Sequence, residues 1–153
     1  MEDISLSFVE PSNPELLHLI SKLDEELFER YPAEEVFGIN FDDPMTQEIV
    51  FVVAYMNRLP VGCGGIRPLD NESTELKRFF VDKPYRNRGV AARILNLLEK
   101  TAKQLKFKYI RLETGVEQPE SVHFYKKHGY KETDKFGDYI DCESSLCYEK
   151  RII

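Results

Sequence analysis

The sequence has few of the residues that build disulfide frameworks and metal sites. Its three cysteines, Cys63, Cys142 and Cys147, are odd in number and form no C-x-x-C pair. Neither a disulfide framework nor a zinc site is therefore expected. The three histidines show no spacing with carboxylates that would predict another metal site. We expect a function without a bound metal, in a reducing environment.

The chain also lacks an apolar run of about 18 residues, the length that a membrane-spanning helix requires. The segment Met1-Glu2-Asp3 is acidic, whereas a secretory signal peptide starts with basic residues. These two features predict no membrane attachment and a cytoplasmic location.

Basic residues are outnumbered by acidic ones. The chain has 21 Lys and Arg against 27 Asp and Glu, which gives a formal net charge of -6. Nucleic-acid binding needs a long basic face that neutralises phosphates, so this class of partner is not expected. A negatively charged protein favours a cationic partner such as an amine.

The apolar pattern is that of one mixed domain over residues 1–153. Hydrophobic residues make up 42% of the chain, which is ordinary for a soluble domain with a core. Their periodicity predicts the order β-α-β-β-β-α-β-α-β-β, which places the fold in the α/β (α+β) class. The predicted strands cover residues 4–8, 49–55, 61–66, 74–81, 109–114, 130–133 and 146–149. The predicted helices begin near residues 14, 89 and 119.

A basic turn between the fourth strand and the second helix is the most informative segment. The apolar residues 79–81 lead through the turn 86–88 into a long helix that begins at Gly89. A helix N-terminus presents N–H groups without helical partners and the positive end of the helix dipole. With Arg86 and Arg88 beside it, this turn predicts a phosphate site. On these residues alone, a solvated turn without a ligand remains the alternative.

Two other phosphate motifs are excluded. No Gly-Lys-Ser/Thr follows the basic turn, so it is not a P-loop. The glycine-rich segment 62–65 lacks the third glycine of a dinucleotide site and leads into a strand instead of a helix.

Two motifs in the second half of the chain resemble a known family. The loop 86–91, Arg-Asn-Arg-Gly-Val-Ala, is similar to the [Arg/Gln]-x-x-Gly-x-[Gly/Ala] loop of GNAT superfamily N-acetyltransferases. It also lies where that family has it, between the fourth strand and the long helix. The segment 121–130, Ser-Val-His-Phe-Tyr-Lys-Lys-His-Gly-Tyr, resembles the family's helix that ends in Phe/Leu-Tyr, three residues and Gly-Phe/Tyr. The predicted element order fits the family along nearly the whole chain.

The resemblance implies a fold and a co-substrate. It implies a mixed, mostly antiparallel sheet that is splayed between strands 4 and 5 and flanked by helices, with acetyl-CoA in the split. Loop amides would bind the pyrophosphate, and the free edge of the fourth strand would pair with the pantetheine arm. Gln118 stands where many family members have an asparagine. The implied cofactor-binding residues are Phe79, Phe80, Val81, Arg86, Asn87, Arg88, Gly89, Val90, Ala91, Gln118 and Ser121.

The resemblance also implies the catalytic residues. The family places a tyrosine beside the thioester sulfur, and Tyr125 matches it. A phenol, with a pKa of about 10, can donate a proton to the leaving thiolate. Glu75 lies eleven residues before Arg86, a spacing at which some members carry a catalytic glutamate, and it is the predicted base. A role in positioning the amine, or a pair with Lys77 or Arg111, stays open for Glu75, and Glu113 is the alternative carboxylate.

The implied activity is acetyl-CoA-dependent N-acetyl transfer to a primary amine of a small molecule, directly within a ternary complex. Acceptor specificity in the family comes mainly from the first helix, the segment after it and the terminal hairpin. Tyr31, Glu113 and Tyr139 are therefore the predicted substrate-binding residues, while Arg67 and Arg78 are candidates for holding a substrate carboxylate. Protein or peptide N-acetyl transfer, a non-catalytic CoA-binding regulatory module, and a homodimer stay open.

Overall fold

The structure is a computed structural model that describes residues 3–153. Met1 and Glu2, on which the expectation about a signal peptide partly depends, lie outside the described residues. The strands are β1 (Ile4–Val9), β2 (Val50–Met56), β3 (Leu59–Pro68), β4 (Ser73–Val81), β5 (Tyr109–Gly115), β6 (Lys131–Thr133) and β7 (Ser145–Arg151). The α-helices are α1 (Pro14–Phe28), α2 (Val90–Gln104) and α3 (Pro119–Lys127). Over residues 3–153, no helix is long and apolar enough to cross a membrane.

The strands form one sheet in the order β1-β2-β3-β4-β5-β7-β6. Neighbouring strands are antiparallel except for β4 and β5, which run parallel. The parallel pairing extends only from Ser73 opposite Tyr109 to Glu75 opposite Arg111, so the two strands separate beyond Glu75. The predicted fold, a mixed and mostly antiparallel sheet splayed between strands 4 and 5, is confirmed.

Helix α1 begins at a cap that the sequence predicts. Asn13 Oδ1 accepts hydrogen bonds from the N–H groups of Glu15 and Leu16 at 2.9 and 3.0 Å. Pro14 fits the first helical position because that position needs no N–H partner. The buried stripe of α1 packs on one face of the sheet, and it consists of Leu16, Leu19, Ile20 and Leu23.

Helices α2 and α3 pack on the opposite face of the sheet, in a second apolar cluster. Gly62 on β3 lets α2 approach closely, because a Cβ at this position would lie 3.0 Å from Ile94 Cδ1 and from the Phe80 carbonyl oxygen. The buried stripe of α2 consists of Val90, Ile94, Leu95, Leu98 and Ala102.

A bulge in β4 changes which side chains face each helix layer. Arg78 and Phe79 together lie opposite Gly64 of β3, and Arg78 has a φ of 53°. Leu76 packs in the α2 cluster and Phe80 in the α1 cluster, although residues four apart in a regular strand share one face. The bulge therefore reverses the alternation of side chains where β4 separates from β5.

Candidate active site

A cleft of about 530 Å³ opens where β4 and β5 separate; we call it the large cleft. Its walls come from the end of β4, the turn before α2, the first turn of α2, α3 and one side of α1. The fold thus brings together two predicted segments that are distant in sequence. The predicted cofactor-binding residues that line the cleft are Phe79, Phe80, Val81, Arg86, Asn87, Gly89, Val90, Ala91, Gln118 and Ser121.

The turn into α2 has the backbone of an anion site. Asn87 and Gly89 have φ values of 64° and 84°. The first intrahelical hydrogen bond of α2 runs from the Arg93 N–H to the Gly89 carbonyl oxygen, at 3.2 Å. The N–H groups between these residues have no acceptor within the helix. Because this first turn lines the large cleft, the cleft receives the positive end of the helix dipole.

The two arginines of the turn have different surroundings. Arg86 Nη2 lies 2.8 and 3.1 Å from the two carboxylate oxygens of Glu26, and its Nε donates to the Val81 carbonyl oxygen at 2.8 Å. Arg86 and Glu26 both line the large cleft. Arg88, by contrast, is exposed and outside the lining, with its guanidinium 5.9 Å from the centre of the Tyr85 ring. The positive charge beside the anion site is therefore that of Arg86, shared with Glu26.

Tyr125 of α3 lies at the inner end of the large cleft. Its side chain is 8% exposed, and its ring makes edge contacts with Phe79 and Tyr130. Among residues 3–153, its hydroxyl has no hydrogen-bond partner. Burial, with a smaller contribution from the charge of Glu113, raises the pKa of Tyr125. Near neutral pH this phenol is therefore a proton donor held at the wall of a cleft.

A second cavity, of about 90 Å³, adjoins the large cleft; we call it the small cavity. The predicted residues Glu75, Glu113 and Tyr139 line it, and so do Lys77 and Arg78. The two cavities share part of their lining. The shared residues are Leu23, Phe79, Gln118, Ser121 and Tyr125.

Glu75 is the most enclosed carboxylate of the small cavity, with a side chain 1% exposed. Arg67 Nη2 donates to Oε1 at 2.6 Å, and the Tyr139 hydroxyl donates to Oε2 at 2.5 Å. Both oxygens are thus engaged. The geometry suits a fixed negative charge that orients Tyr139.

Glu113 of β5 is held less tightly. Ser145 Oγ donates to its Oε2 at 2.7 Å, and no hydrogen bond to its Oε1 comes from the described part of the chain. Burial raises the pKa of Glu113 to about 7, although the Ser145 hydrogen bond and the charge of Lys77 act in the opposite direction. A carboxylate with this pKa and an oxygen without a donor can accept a proton near neutral pH.

The sequence suggests Lys77 only as an ion-pair partner for Glu75, whereas in the structure Lys77 lines the small cavity. Its side chain is 6% exposed, and its Nζ donates to the Tyr139 hydroxyl at 3.0 Å and lies 3.9 Å from Glu75 Oε2. Burial lowers the pKa of Lys77, while Glu75 raises it. The signal was available in the sequence, because residues 75 and 77 of one strand point to the same face.

Tyr31 lies outside the lining of both cavities. Its hydroxyl accepts a hydrogen bond from the Glu117 N–H at 2.9 Å and sits where a Cβ of Gly115 would otherwise be. This contact ties the segment after α1 to the turn between β5 and α3. The structure therefore gives Tyr31 a packing contact, and brings only Glu113 and Tyr139 of the predicted acceptor residues to the small cavity.

Comparisons with known proteins point to one family. Residues 13–130 match the model described as the acetyltransferase (GNAT) family. The chain is similar to an IAA acetyltransferase of Azospirillum brasilense, with 32% identity over 152 residues that cover 98% of this chain and 99% of that protein.

Solved structures share the fold. A Klebsiella pneumoniae protein described as an acyl-CoA N-acyltransferase matches with a TM-score of 0.83 and 24% identity over 98% of each chain. A GNAT family acetyltransferase from Elizabethkingia anophelis, solved with acetyl-CoA bound, matches with a TM-score of 0.70 and 20% identity over 97% of each chain.

Proposed function

Because the chain belongs to the acetyltransferase (GNAT) family, we propose that it transfers the acetyl group of acetyl-CoA to the primary amine of a small molecule. The observation that carries this proposal is the meeting of two cavities at Tyr125. The large cleft, with its anion site, suits a long phosphate-bearing donor. The small, charged cavity suits a compact acceptor. With both molecules in place, transfer is direct and needs no acyl-enzyme.

The donor site is built mainly from backbone. The N–H groups at the start of α2 bind the pyrophosphate, and Arg86 adds a positive charge. Beyond Glu75 the edge of β4 that faces β5 has no strand partner among residues 3–153, so it can pair with the amides of the pantetheine arm. A backbone N–H near Phe80 or Val81 would stabilise the negative charge that develops on the thioester oxygen.

The acceptor amine must lose a proton before it attacks. For an alkyl amine with a pKa of about 10.4, this deprotonation costs about 4.6 kcal/mol at pH 7. Glu75, the base expected from the sequence, already accepts hydrogen bonds from Arg67 and Tyr139. Glu113 retains an oxygen that can accept the proton, so we assign it the role of base and give Glu75 a positioning role. Tyr125 then donates a proton to the leaving thiolate.

The pH profile tests the assignment of Glu113. We expect kcat/KM to rise with pH through a midpoint near 7, because the pKa of Glu113 is raised to about 7 and a base acts only when deprotonated. In the Glu113→Gln variant this rise, the acidic limb of the profile, should disappear, and kcat/KM should be about 100-fold lower than in the wild type above the midpoint. The measurement is the rate of CoA release across the pH range in which the protein stays folded.

Glu75→Gln is the matched comparison, since it neutralises the other carboxylate of the small cavity. It should retain the limb, with a slightly lower midpoint, because the charge of Glu75 contributes to the raised pKa of Glu113. A limb that is lost in Glu75→Gln and kept in Glu113→Gln would return the role of base to Glu75.

Glu26 should weaken donor binding, because it holds Arg86 and places a negative charge in the cleft. We expect Glu26→Gln to tighten acetyl-CoA binding about two- to fivefold, the scale of a partly exposed ion pair. Calorimetric titration measures the effect. Glu25→Gln, the same change at an exposed residue outside the large cleft, should leave the affinity unchanged. Weaker binding by Glu26→Gln would show that the pair instead holds Arg86 in place for the donor.

Two other functions find less support. A protein or peptide acceptor needs an open groove, whereas the small cavity holds about 90 Å³. A non-catalytic CoA-binding module would not need Tyr125 at the junction of the two cavities or the carboxylate of Glu113 in the small one.

The proposal is tested by titrating acetyl-CoA into the purified protein and then measuring CoA release with a library of primary amines. We expect saturable binding and turnover with a subset of the amines. A folded protein that does not bind acetyl-CoA would refute the donor site. Binding without turnover of any amine would favour the regulatory module.

A further inference from the structure

Two arginines at or near the small cavity are already paired with carboxylates of this chain. Arg67 is paired with Glu75 at 2.6 Å, and Arg78 is paired with Asp24. Both arginines, which the sequence offers as holders of a substrate carboxylate, are thus already neutralised by this chain. Lys77 is the remaining cation on the wall of the cavity.

Lys77 shares the carboxylate of Glu75 with Arg67, which lies closer to it. Glu75 Oε2 lies 3.9 Å from its Nζ, and Glu75 already accepts hydrogen bonds from Arg67 and the Tyr139 hydroxyl. The Lys77 ammonium has three N–H donors. Two of them are engaged, since Lys77 Nζ donates to the Tyr139 hydroxyl at 3.0 Å and to the Phe37 carbonyl oxygen at 3.5 Å.

An acceptor that carried only an ammonium group would enter this cavity next to a buried cation. Two like charges in a partly desolvated site repel each other more strongly than they do in water. Glu113 offsets this only in part, because its raised pKa leaves it partly protonated near neutral pH. An acceptor that brings its own negative charge removes the conflict.

We propose that the acceptor is an amino acid-type molecule, whose carboxylate binds the Lys77 ammonium while its amine faces Glu113. This inference rests on the proposed function and names the substrate class for the same site. A carboxylate is smaller than a phosphate or a sulfonate, which suits a cavity of about 90 Å³. Leu23, Leu27 and Phe37 also line the cavity and can contact an aliphatic side chain.

Matched acceptors test the inference on the wild-type enzyme. The first set is leucine, leucinamide and 3-methylbutylamine; the second is alanine, alaninamide and ethylamine. Within each set the amine is kept and the carboxylate is present, masked or absent. We expect kcat/KM for the amino acid to exceed that of both relatives at least tenfold. The amide has the less basic amine, which by itself would favour the amide, so this comparison is a strict one.

Variants locate the effect at Lys77. At a pH well above the midpoint of Glu113, whose pKa the charge of Lys77 helps to lower, Lys77→Met should reduce kcat/KM for the amino acids at least tenfold more than for the amines without a carboxylate, mainly through KM. Lys108→Met removes the same charge at an exposed site outside the cavity and should change neither. Unchanged affinity for acetyl-CoA shows that the Lys77→Met variant is folded. If the variant does not fold, the comparison of acceptors on the wild-type enzyme alone decides the inference.

The outcomes separate this inference from the proposed function. Equal kcat/KM for amino acids, amides and amines would overturn the inference and leave acetyl transfer in place. If no amine is acetylated, the proposed function fails, and calorimetric titration of leucine and 3-methylbutylamine into the CoA-loaded protein decides the inference. Binding of leucine alone supports it, and equal or absent binding overturns it.

Discussion

Replacing Tyr125 with phenylalanine should lower kcat about 100-fold and leave the affinity for acetyl-CoA nearly unchanged. Tyr125 lines both the large cleft and the small cavity, and general acid catalysis contributes on this scale. The phenol is protonated at neutral pH and can donate to the leaving thiolate, although burial, which raises the pKa of Tyr125, makes it a weaker acid. Phenylalanine keeps the ring contacts with Phe79 and Tyr130, so the fold should tolerate the change.

Steady-state kinetics and calorimetric titration of the same preparation measure the two expectations. Tyr130→Phe is the matched control, since Tyr130 is a buried neighbour whose hydroxyl donates to Glu99 at 2.9 Å and lines neither cavity. It should lower the melting temperature without reducing kcat more than about twofold. Full turnover by Tyr125→Phe would show that Tyr125 serves only in packing and that water protonates the leaving thiolate.

The second large effect is expected at Gly89, where aspartate should weaken acetyl-CoA binding about 100-fold. Its carboxylate would lie at the positive end of α2, where the pyrophosphate is expected. The negative charges of the carboxylate and the pyrophosphate would then repel each other strongly. The change has room, since a Cβ at Gly89 meets nothing within 4 Å. The φ of 84° does strain any side chain, at a cost of about 1–2 kcal/mol of stability.

Gly89→Asn separates charge from strain. Asparagine has nearly the same shape as aspartate, tolerates positive φ comparably and carries no charge. Both variants should therefore lose similar stability in thermal unfolding, while only aspartate loses most of the acetyl-CoA affinity. Equal loss of binding in both variants would assign the effect to backbone geometry, and no loss in either would remove the anion site from the donor's path.

Much of this fold could be predicted from local sequence. The strand and helix order follows from apolar periodicity, and the start of α1 follows from Asn13 and Pro14, because caps depend on neighbouring residues alone. The turn at Gly89 is likewise local. The split between β4 and β5 came from the family resemblance, since nothing in the periodicity of either strand marks where their pairing stops.

The bulge in β4 had no local signal. Arg78 adopts a φ of 53°, a conformation for which its residue type shows no preference. Its guanidinium is held by Asp24 of α1, a contact that exists only after α1 has packed on the sheet. Packing therefore places Phe80 on the α1 face, and this placement shapes the large cleft.

By itself, the sequence predicted the element order and the basic turn before α2, because these depend on residues that are close together in the chain, and the family resemblance identified Tyr125 as the candidate acid. The tertiary structure decided which charged groups neutralise each other. Arg86 meets Glu26 across 60 positions, and Tyr139 meets Glu75 across 64. Such pairs are selected by burial and distance in the folded molecule, which determine the electrostatic energy. That selection leaves Lys77 and Glu113 facing the small cavity and so defines the acceptor that we propose.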